Sequence, residues 1–317
     1  MKRILEFLWP AIGLGAVAFS GWLLWREFQG NSISELWHAL KAIPAHRWIF
    51  VALATLAAYA ALAGYDRIAL MHLGKLQGIS MRYIALCSFT TYALSHNIGA
   101  SVVSGGMVRY RAYSAKGLSA AEVAVLVAFC SLTFALGMAL CGGIVFTFEP
   151  DLIHRLLKLP EWMARLIGIG CLGFVAAYLA ASLLNLKAFQ FRTFRLEYPH
   201  WPVAIRQLTI APLEIIAAAA IIYFALPEAG NPGFFIVLGI FVAVFSAALI
   251  SQAPGGLGVM EVLFIAALPG IPKLDVLAAL LVFRLFYLLI PLALSVPIVL
   301  LFEKAQLAKA HPDAAQL

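Results

Sequence analysis

The stretch Phe89–Arg111 reads FTTYALSHNIGASVVSGGMVRYR, and a second stretch, Phe245–Glu261, reads FSAALISQAPGGLGVME. Glycine interrupts both apolar segments, and proline also interrupts the second. When the two are laid over each other, with a short gap before the last three pairs, identical or similar residues coincide at Phe89/Phe245, Ser95/Ser251, Gly99/Gly255, Gly117/Gly270, Glu122/Asp275 and Val123/Val276. Glycine-broken apolar segments at matching places in two halves predict the binding site of a transporter built from repeats. The alternative is a chance match, since few positions are identical.

The composition of the chain predicts an all-α integral membrane protein. Of its 317 residues, 63% are hydrophobic and only 12% are charged, whereas a soluble domain carries about 25% charged residues. The net charge of +7 comes from lysines and arginines scattered over short loops. This is typical of cytoplasmic loops near anionic lipid head groups, not of a nucleic-acid surface. We therefore expect a multi-pass protein of the bacterial inner (cytoplasmic) membrane, with membrane lipids as partners and no nucleic acid.

Apolar runs of about 18 to 25 residues mark six candidate crossings of the membrane. They are Leu8–Trp25, Trp48–Leu70, Ala121–Phe148, Leu166–Leu186, Leu208–Leu226 and Val276–Phe302. The two glycine-broken blocks, 83–108 and 234–269, come in addition. Each either crosses the bilayer once or folds back as a hairpin.

Basic residues favour the hairpin for both blocks. Lys2 and Arg3 place the N-terminus in the cytoplasm, and Arg109, Arg111 and Lys116 follow the first block. A single crossing by that block would leave these three cations outside. The positive-inside bias therefore predicts a hairpin that enters and leaves on the cytoplasmic side. The same reasoning makes the second block a hairpin that dips in from outside.

The resulting arrangement is one polytopic domain, 1–317, with six crossings and two opposed re-entrant helical hairpins. Three crossings separate the hairpins, so the two repeats, about 83–148 and 234–302, are inverted. The alternative is a plain bundle of eight crossings. In either case, irregular backbone at membrane depth needs shelter in protein or a water-filled cavity, which predicts an interior cavity.

The tip of the second hairpin is the strongest local signal. Pro254, Gly255, Gly256 and Gly258 stop one helix and let a half-helix begin near the middle of the membrane. The free backbone N–H groups of such a half-helix suit a phosphate or a carboxylate. Glu261 follows in the first turn, where an acid is favourable. The alternative interpretation is helix capping alone.

The first tip repeats this pattern with more polar side chains, among them Asn97. It ends in Arg109 and Arg111, which are either phosphate ligands at a cavity mouth or ordinary cytoplasmic anchors. Asp66 and Arg67 lie near the cytoplasmic end of the second crossing. Because they are adjacent, they point apart on a helix and should have different partners.

Ionisable residues inside predicted crossings are costly in lipid and mark functional sites. Arg284 lies near the middle of the last crossing, with Tyr287 expected on the same face three residues on. We expect Arg284 to contact an anionic ligand, or to pair with Glu261 or Glu214. Glu214 could instead carry a proton or lie at the membrane interface.

Patterns for catalysis, cofactors and metals are weak. Gly168, Gly170 and Gly173 fit a dinucleotide-binding spacing but lie inside an apolar crossing with no preceding strand. Close helix packing, within one chain or in a homodimer, explains them better. The histidines are scattered without metal-ligand spacing, and no nucleophile has an adjacent base. We expect no metal and no cofactor, and an enzyme is disfavoured.

The stretches APGGLGVMEVLFIAALPG (253–270) and AALLVFRLFYLLIP (278–291) resemble the lysylphosphatidylglycerol synthase transmembrane region family. That family includes the flippase part of multiple peptide resistance factor and stand-alone bacterial relatives. The matching residues are Pro254, Gly255, Gly256, Gly258, Glu261, Arg284, Tyr287 and Pro291, with Gly106 and Arg109 in the first half. The chain departs from the family at Met107, where relatives often carry an acid. The resemblance implies translocation of a lipid through a cavity between inverted repeats.

These features predict an inner-membrane, flippase-like translocase that moves a phospholipid or another lipid through a cavity between inverted repeats. We expect that nucleotide does not drive it, because the sequence has no P-loop. The alternatives are a proton-coupled exporter of small molecules, and a membrane-embedded lipid-modifying enzyme or accessory subunit. The residues expected to bind the lipid are Arg284, Glu261, Pro254, Gly255, Gly256, Gly258, Tyr287, Arg109, Asn97 and Glu214.

Overall fold

A computed structural model describes residues 33–98, 101–152, 160–184, 189–191, 194–196, 198–251 and 256–310. The predicted first crossing, Leu8–Trp25, lies outside these residues. Pro254 and Gly255, at the predicted second tip, lie outside them as well.

Helices make up nearly all of the described chain, with one small pair of strands. The helices and strands, in chain order, are α1 (Ile33–Ala42), α2 (Ala45–His72), α3 (Met81–Ile98), α4 (Ser101–Ser114), α5 (Ala120–Phe148), α6 (Glu161–Leu183), β1 (Phe189–Phe191), β2 (Phe194–Leu196), α7 (Trp201–Ala225), α8 (Phe234–Ser251), α9 (Val259–Ala267), α10 (Lys273–Phe283), a π-helix (Arg284–Leu289) and α11 (Ile290–Ala310). The two strands pair antiparallel, with Phe189 opposite Leu196.

Local sequence fixes where several helices begin. Pro44, Pro160 and Pro272 immediately precede α2, α6 and α10, where the fixed φ of proline favours a helix start. Ser119 begins α5 through a capping box, because its hydroxyl accepts from the backbone N–H of Glu122, whose carboxylate accepts from the backbone of Ser119. Such reciprocal bonds satisfy amide groups that have no partner within the helix.

Among the described residues, six helices are long and apolar enough to cross a membrane. Five overlap the predicted crossings: α2, α5, α6, α7 and the continuous α10–α11 segment. The sixth is α8, whose 18 residues span about 27 Å at 1.5 Å per residue. The prediction of an all-α integral membrane protein is confirmed. The sequence favoured α8 as one arm of a hairpin, whereas its length would also allow it to cross the membrane alone.

The first glycine-broken block forms two helices, α3 and α4, that pack antiparallel. The Tyr83 hydroxyl near the start of α3 donates to the carbonyl of Ala112 near the end of α4, at 2.6 Å. Further along, Gly105 lies so close to α3 that an added Cβ would be 3.2 Å from the Thr91 methyl group. The two arms therefore form a helical hairpin. Whether the hairpin turns back within the membrane stays a prediction.

The positions matched between the two halves occupy equivalent places at two helix starts. Gly117 and Gly270 each lie two residues before the N-cap of the following helix, α5 or α10. Glu122 and Asp275 each lie in the first turn of that helix. This agreement fits the predicted internal repeat, while the repeat boundaries and the inverted orientation stay predictions.

Helices α2 and α7 pack together along much of their length at the centre of the bundle, with α5 against α7 and α6 against α5. Small residues permit the closest approaches: a Cβ on Gly137 of α5 would be 2.8 Å from the backbone of Ala211 in α7. Gly168 of α6 similarly lies against Thr147 of α5, whereas Gly170 has no neighbouring atom within 4 Å of an added Cβ. The predicted glycine packing is thus realised within one chain at Gly168.

Candidate functional site

A buried ion pair joins the start of α9 to the π-helix. Arg284 Nε lies 3.1 Å from Glu261 Oε1, and Arg284 Nη2 contacts the same oxygen. Both residues are buried, at 4% and 7% exposure. The sequence left two partners open for Arg284, and the structure selects Glu261.

The same carboxylate also caps its own helix. Glu261 Oε2 accepts a hydrogen bond of 2.8 Å from the backbone N–H of Gly258, at the N-terminus of α9. Gly258 has φ +77° and Gly256 has φ +67°, backbone conformations that glycine adopts without a steric penalty. The capping that the sequence analysis gave as the alternative is therefore present at Glu261, while a ligand anion at this helix start stays a prediction.

A second buried ion pair joins the hairpin arm α4 to α2. Arg109 Nη2 lies 2.7 Å from Asp66 Oδ1, and Arg109 Nε lies 3.2 and 3.3 Å from the two carboxylate oxygens. The Tyr113 hydroxyl donates to Asp66 Oδ2 at 2.9 Å, and the guanidinium lies 4.9 Å from the ring centroid of Tyr92. With Arg109 4% exposed and Asp66 fully buried, this arginine is an interior residue and not a surface anchor.

The neighbouring residues Asp66 and Arg67 point in different directions, as predicted. Asp66 is buried against α4, whereas Arg67 is exposed.

The two buried ion pairs, Arg284–Glu261 and Arg109–Asp66, have a similar arrangement. Each connects the second arm of a glycine-broken block, α4 or α9, to a long helix. The charges are reversed, with the cation on α4 and the anion on α9.

Glu214, buried on α7, has no cationic partner among the described residues. Its Oε1 accepts a hydrogen bond of 2.5 Å from the Tyr287 hydroxyl, and its Oε2 has no hydrogen-bond partner in the described part of the chain. Of the two acids that the sequence offered as partners of Arg284, Glu214 is therefore not the one that pairs with it. The reason is geometric, because Glu261 reaches Arg284 from α9 while Glu214 faces Tyr287.

The π-helix explains why Arg284 and Tyr287 have partners on different helices. A π-helix turns less per residue than an α-helix, so residues three apart do not share a face as the sequence reading assumed. Pro291 adds a second effect, since it lacks the N–H that would reach the carbonyl of Tyr287 four residues earlier. The Tyr59 hydroxyl donates to that carbonyl at 2.9 Å.

Asn97, a predicted site residue at the end of α3, supports the same π-helix. Its Nδ2 donates to the carbonyl of Leu288 at 3.1 Å and to that of Ala93 at 2.8 Å. Next to it, the His96 ring stacks on Tyr287 with centroids 5.4 Å apart. The first hairpin tip is thereby held against the helix that carries Arg284 and Tyr287.

Several contributors to this region were not predicted as site residues. Asp66 could be recognised in the sequence as a candidate site residue, since it is an acid inside an apolar crossing, but the sequence did not reveal its partner. Nothing in the sequence marked Tyr59 and Tyr113 as site residues, because a tyrosine in an apolar helix is common. Within the described residues, no group of three or more histidine, cysteine, aspartate or glutamate side chains could hold a metal ion.

The apolar helices and their buried ionisable pairs define a polytopic α-helical membrane protein with charged side chains in its interior. The chain belongs to the lysylphosphatidylglycerol synthase transmembrane region family, whose family model matches residues 13–295. This confirms the resemblance seen in the sequence. The protein is a multi-pass protein of the bacterial inner membrane.

Three relatives illustrate the range of the family. The uncharacterised protein slr0712 of Synechocystis sp. is 34% identical over 239 residues, 74% of this chain and 72% of the relative. The inner membrane protein YbhN of Escherichia coli is 32% identical over 255 residues, 79% of each chain. A phosphatidylglycerol lysyltransferase of Staphylococcus haemolyticus is 23% identical over 300 residues, 93% of this chain but only 34% of the relative.

Proposed function

We propose that this protein translocates a lipid with an anionic head group across the inner membrane. The observation that carries the proposal is the buried pair of Arg284 and Glu261 next to the glycine-broken start of α9. A buried ion pair is weak evidence for stability, since apolar residues of similar volume are often at least as stable. Ionisable groups at such depth usually serve transport or ligand binding.

The pair offers a physical route for exchanging ligands. An anionic head group that reaches Arg284 can replace Glu261 as the counter-ion, so the arginine never becomes an unpaired buried charge. Glu261 keeps its bond to the N–H of Gly258, which stabilises the released carboxylate. The acyl chains remain in the bilayer throughout. Arg109 and Asp66 provide a second pair of the same kind at the first hairpin.

Translocation can be measured in proteoliposomes of phosphatidylcholine and phosphatidylglycerol that contain a trace of fluorescent phosphatidylglycerol or fluorescent phosphatidylcholine. Chemical quenching from outside reports the leaflet of the probe. We expect wild-type protein to speed exchange of the anionic probe over empty vesicles. The double variant Arg284→Gln, Glu261→Gln should lose this activity, while Arg165→Gln, at an exposed arginine on α6, should keep it.

Two results would overturn the proposal. One is that wild-type protein speeds the exchange of neither probe, although its thermal unfolding transition shows that it is folded. The other is a double variant as active as wild type, since the ion pair would then have no role in transport. Mass analysis of the recovered lipid shows in the same vesicles whether the protein modifies lipid instead.

A second candidate function, proton-coupled export of a small molecule, is favoured by one observation. Glu214 is buried without a cationic partner among the described residues, and one of its oxygens has no hydrogen-bond partner there. A carboxyl in such a place can take up and release a proton during transport. In that case transport should follow an imposed pH gradient and disappear in Glu214→Gln, which retains an oxygen for the Tyr287 hydroxyl.

A further inference from the structure

A cavity of about 440 Å³ lies between the first helical hairpin, α3 and α4, and the last helix, α11. Its walls are mainly aliphatic and aromatic, with Leu94 from α3 and Ile298 from α11 among them. Leu86 and Leu301 on its rim are exposed, so the cavity opens on the apolar outer surface of the bundle. In a bilayer, an opening on such an apolar surface would face acyl chains and not water.

An ion pair lies at one end of this cavity. Arg111 Nε lies 3.0 Å from Glu303 Oε1, and Arg111 Nη2 lies 2.7 Å from Glu303 Oε2. The Arg111 side chain is 53% exposed, whereas that of Glu303 is 10% exposed. The guanidinium is therefore accessible to an anion from the membrane surface while its present counter-ion lies deeper.

Thr90 lines the same cavity and carries a buried hydroxyl. Thr90 is 5% exposed, and its Oγ1 has no hydrogen-bond partner among the described residues. Tyr83 bonds to Ala112, next to Arg111, and Thr90 lies seven residues further along α3, which is about 10 Å deeper. A buried hydroxyl without a partner is costly, so a ligand oxygen at this depth would stabilise the protein.

We propose that this cavity binds one anionic phospholipid from the cytoplasmic side. Its phosphate replaces Glu303 at Arg111, an ester oxygen accepts the hydrogen bond from Thr90, and one acyl chain fills the apolar part. The combination selects a glycerophospholipid over a fatty acid, whose single carboxylate can meet Arg111 but leaves no oxygen for Thr90. The inference rests on the proposed function only in taking a membrane lipid as ligand, since binding does not require translocation.

The test is native mass spectrometry of purified full-length protein titrated with phosphatidylglycerol. Glu303→Gln should strengthen binding, because it removes the competing carboxylate from Arg111. Arg111→Gln should weaken binding by about tenfold or more, as expected for loss of a charge-assisted hydrogen bond. Thr90→Val keeps the shape of the side chain and should weaken binding several-fold. Arg82 is an exposed arginine at the start of α3, and the Arg82→Gln variant should bind phosphatidylglycerol as tightly as wild type.

The test stays decisive even if Arg111→Gln fails to fold, because Glu303→Gln is expected to increase the affinity for phosphatidylglycerol. Equal affinities for wild type, Glu303→Gln and Thr90→Val would overturn the inference. Oleate that binds as tightly as phosphatidylglycerol, with no effect of Thr90→Val, would overturn the choice of a phospholipid. Translocation measured on the same samples separates the two proposals. If the variants change lipid binding as expected but wild-type protein does not translocate lipid, the cavity proposal is supported and the translocase proposal is overturned.

Discussion

The Tyr59 hydroxyl on α2 donates a hydrogen bond of 2.9 Å to the backbone carbonyl of Tyr287 in the π-helix. Pro291 cannot supply the amide that this carbonyl would have in a regular helix. Asn97 donates to the next carbonyl, that of Leu288. The Tyr59 hydroxyl thus replaces a missing helical hydrogen bond, and together with Asn97 it fixes the segment that carries Arg284 and Tyr287.

Tyr59→Phe should lower stability by about 1–3 kcal/mol, because it leaves a buried carbonyl without a donor. The measurement is thermal unfolding of purified protein in detergent. Tyr110→Phe is the matched control, since Tyr110 is 50% exposed and its change should have little effect. Equal unfolding temperatures for both variants would mean that the carbonyl of Tyr287 has another donor.

Arg284→Gln alone should lower stability by about 3–5 kcal/mol, because Glu261 would remain as a buried charge without its cation. The double variant Arg284→Gln, Glu261→Gln should recover much of this loss, since neither buried charge remains. Thermal unfolding of wild type and of both variants measures the difference. A double variant less stable than Arg284→Gln would show that the pair stabilises the fold beyond mutual neutralisation.

Asp66→Asn should be the most damaging of three changes around the second ion pair, because it leaves Arg109 buried without its counter-ion. Tyr113→Phe removes one hydrogen bond to Asp66 and should cost about 1 kcal/mol. Arg67→Gln, next in sequence but exposed, should cost little. Unfolding temperatures should follow this order, and a large loss in Arg67→Gln would contradict it.

Gly168→Ala and Gly170→Ala should differ although both glycines lie in α6. A Cβ on Gly168 would lie 2.7 Å from the backbone nitrogen of Thr147, so α5 and α6 must separate, at a cost of about 1–3 kcal/mol. Gly170 has open space at the corresponding position, and alanine there should gain up to about 1 kcal/mol of helix propensity. A loss of stability in Gly170→Ala would indicate that a second chain packs on this face, which size measurement in detergent would show.

The sequence predicted the membrane class and most of the crossings. Composition predicts the membrane class, because a chain with so few charged residues cannot cover its surface in water. Length and apolarity predict the crossings, as in Trp48–Leu70, which lies within the observed α2. Ser119 and Pro272 act locally at helix starts, so nearby residues suffice to predict them.

The ionisable candidates were also visible in the sequence, since an arginine such as Arg284 in an apolar run is costly wherever it points. Only the tertiary structure decided their partners: Glu261 and not Glu214 for Arg284, and Asp66 for Arg109. The physical reason is that a membrane helix is apolar towards both lipid and protein. Its sequence therefore does not reveal which face meets which neighbour, and the π-helix before Pro291 shifts the faces again.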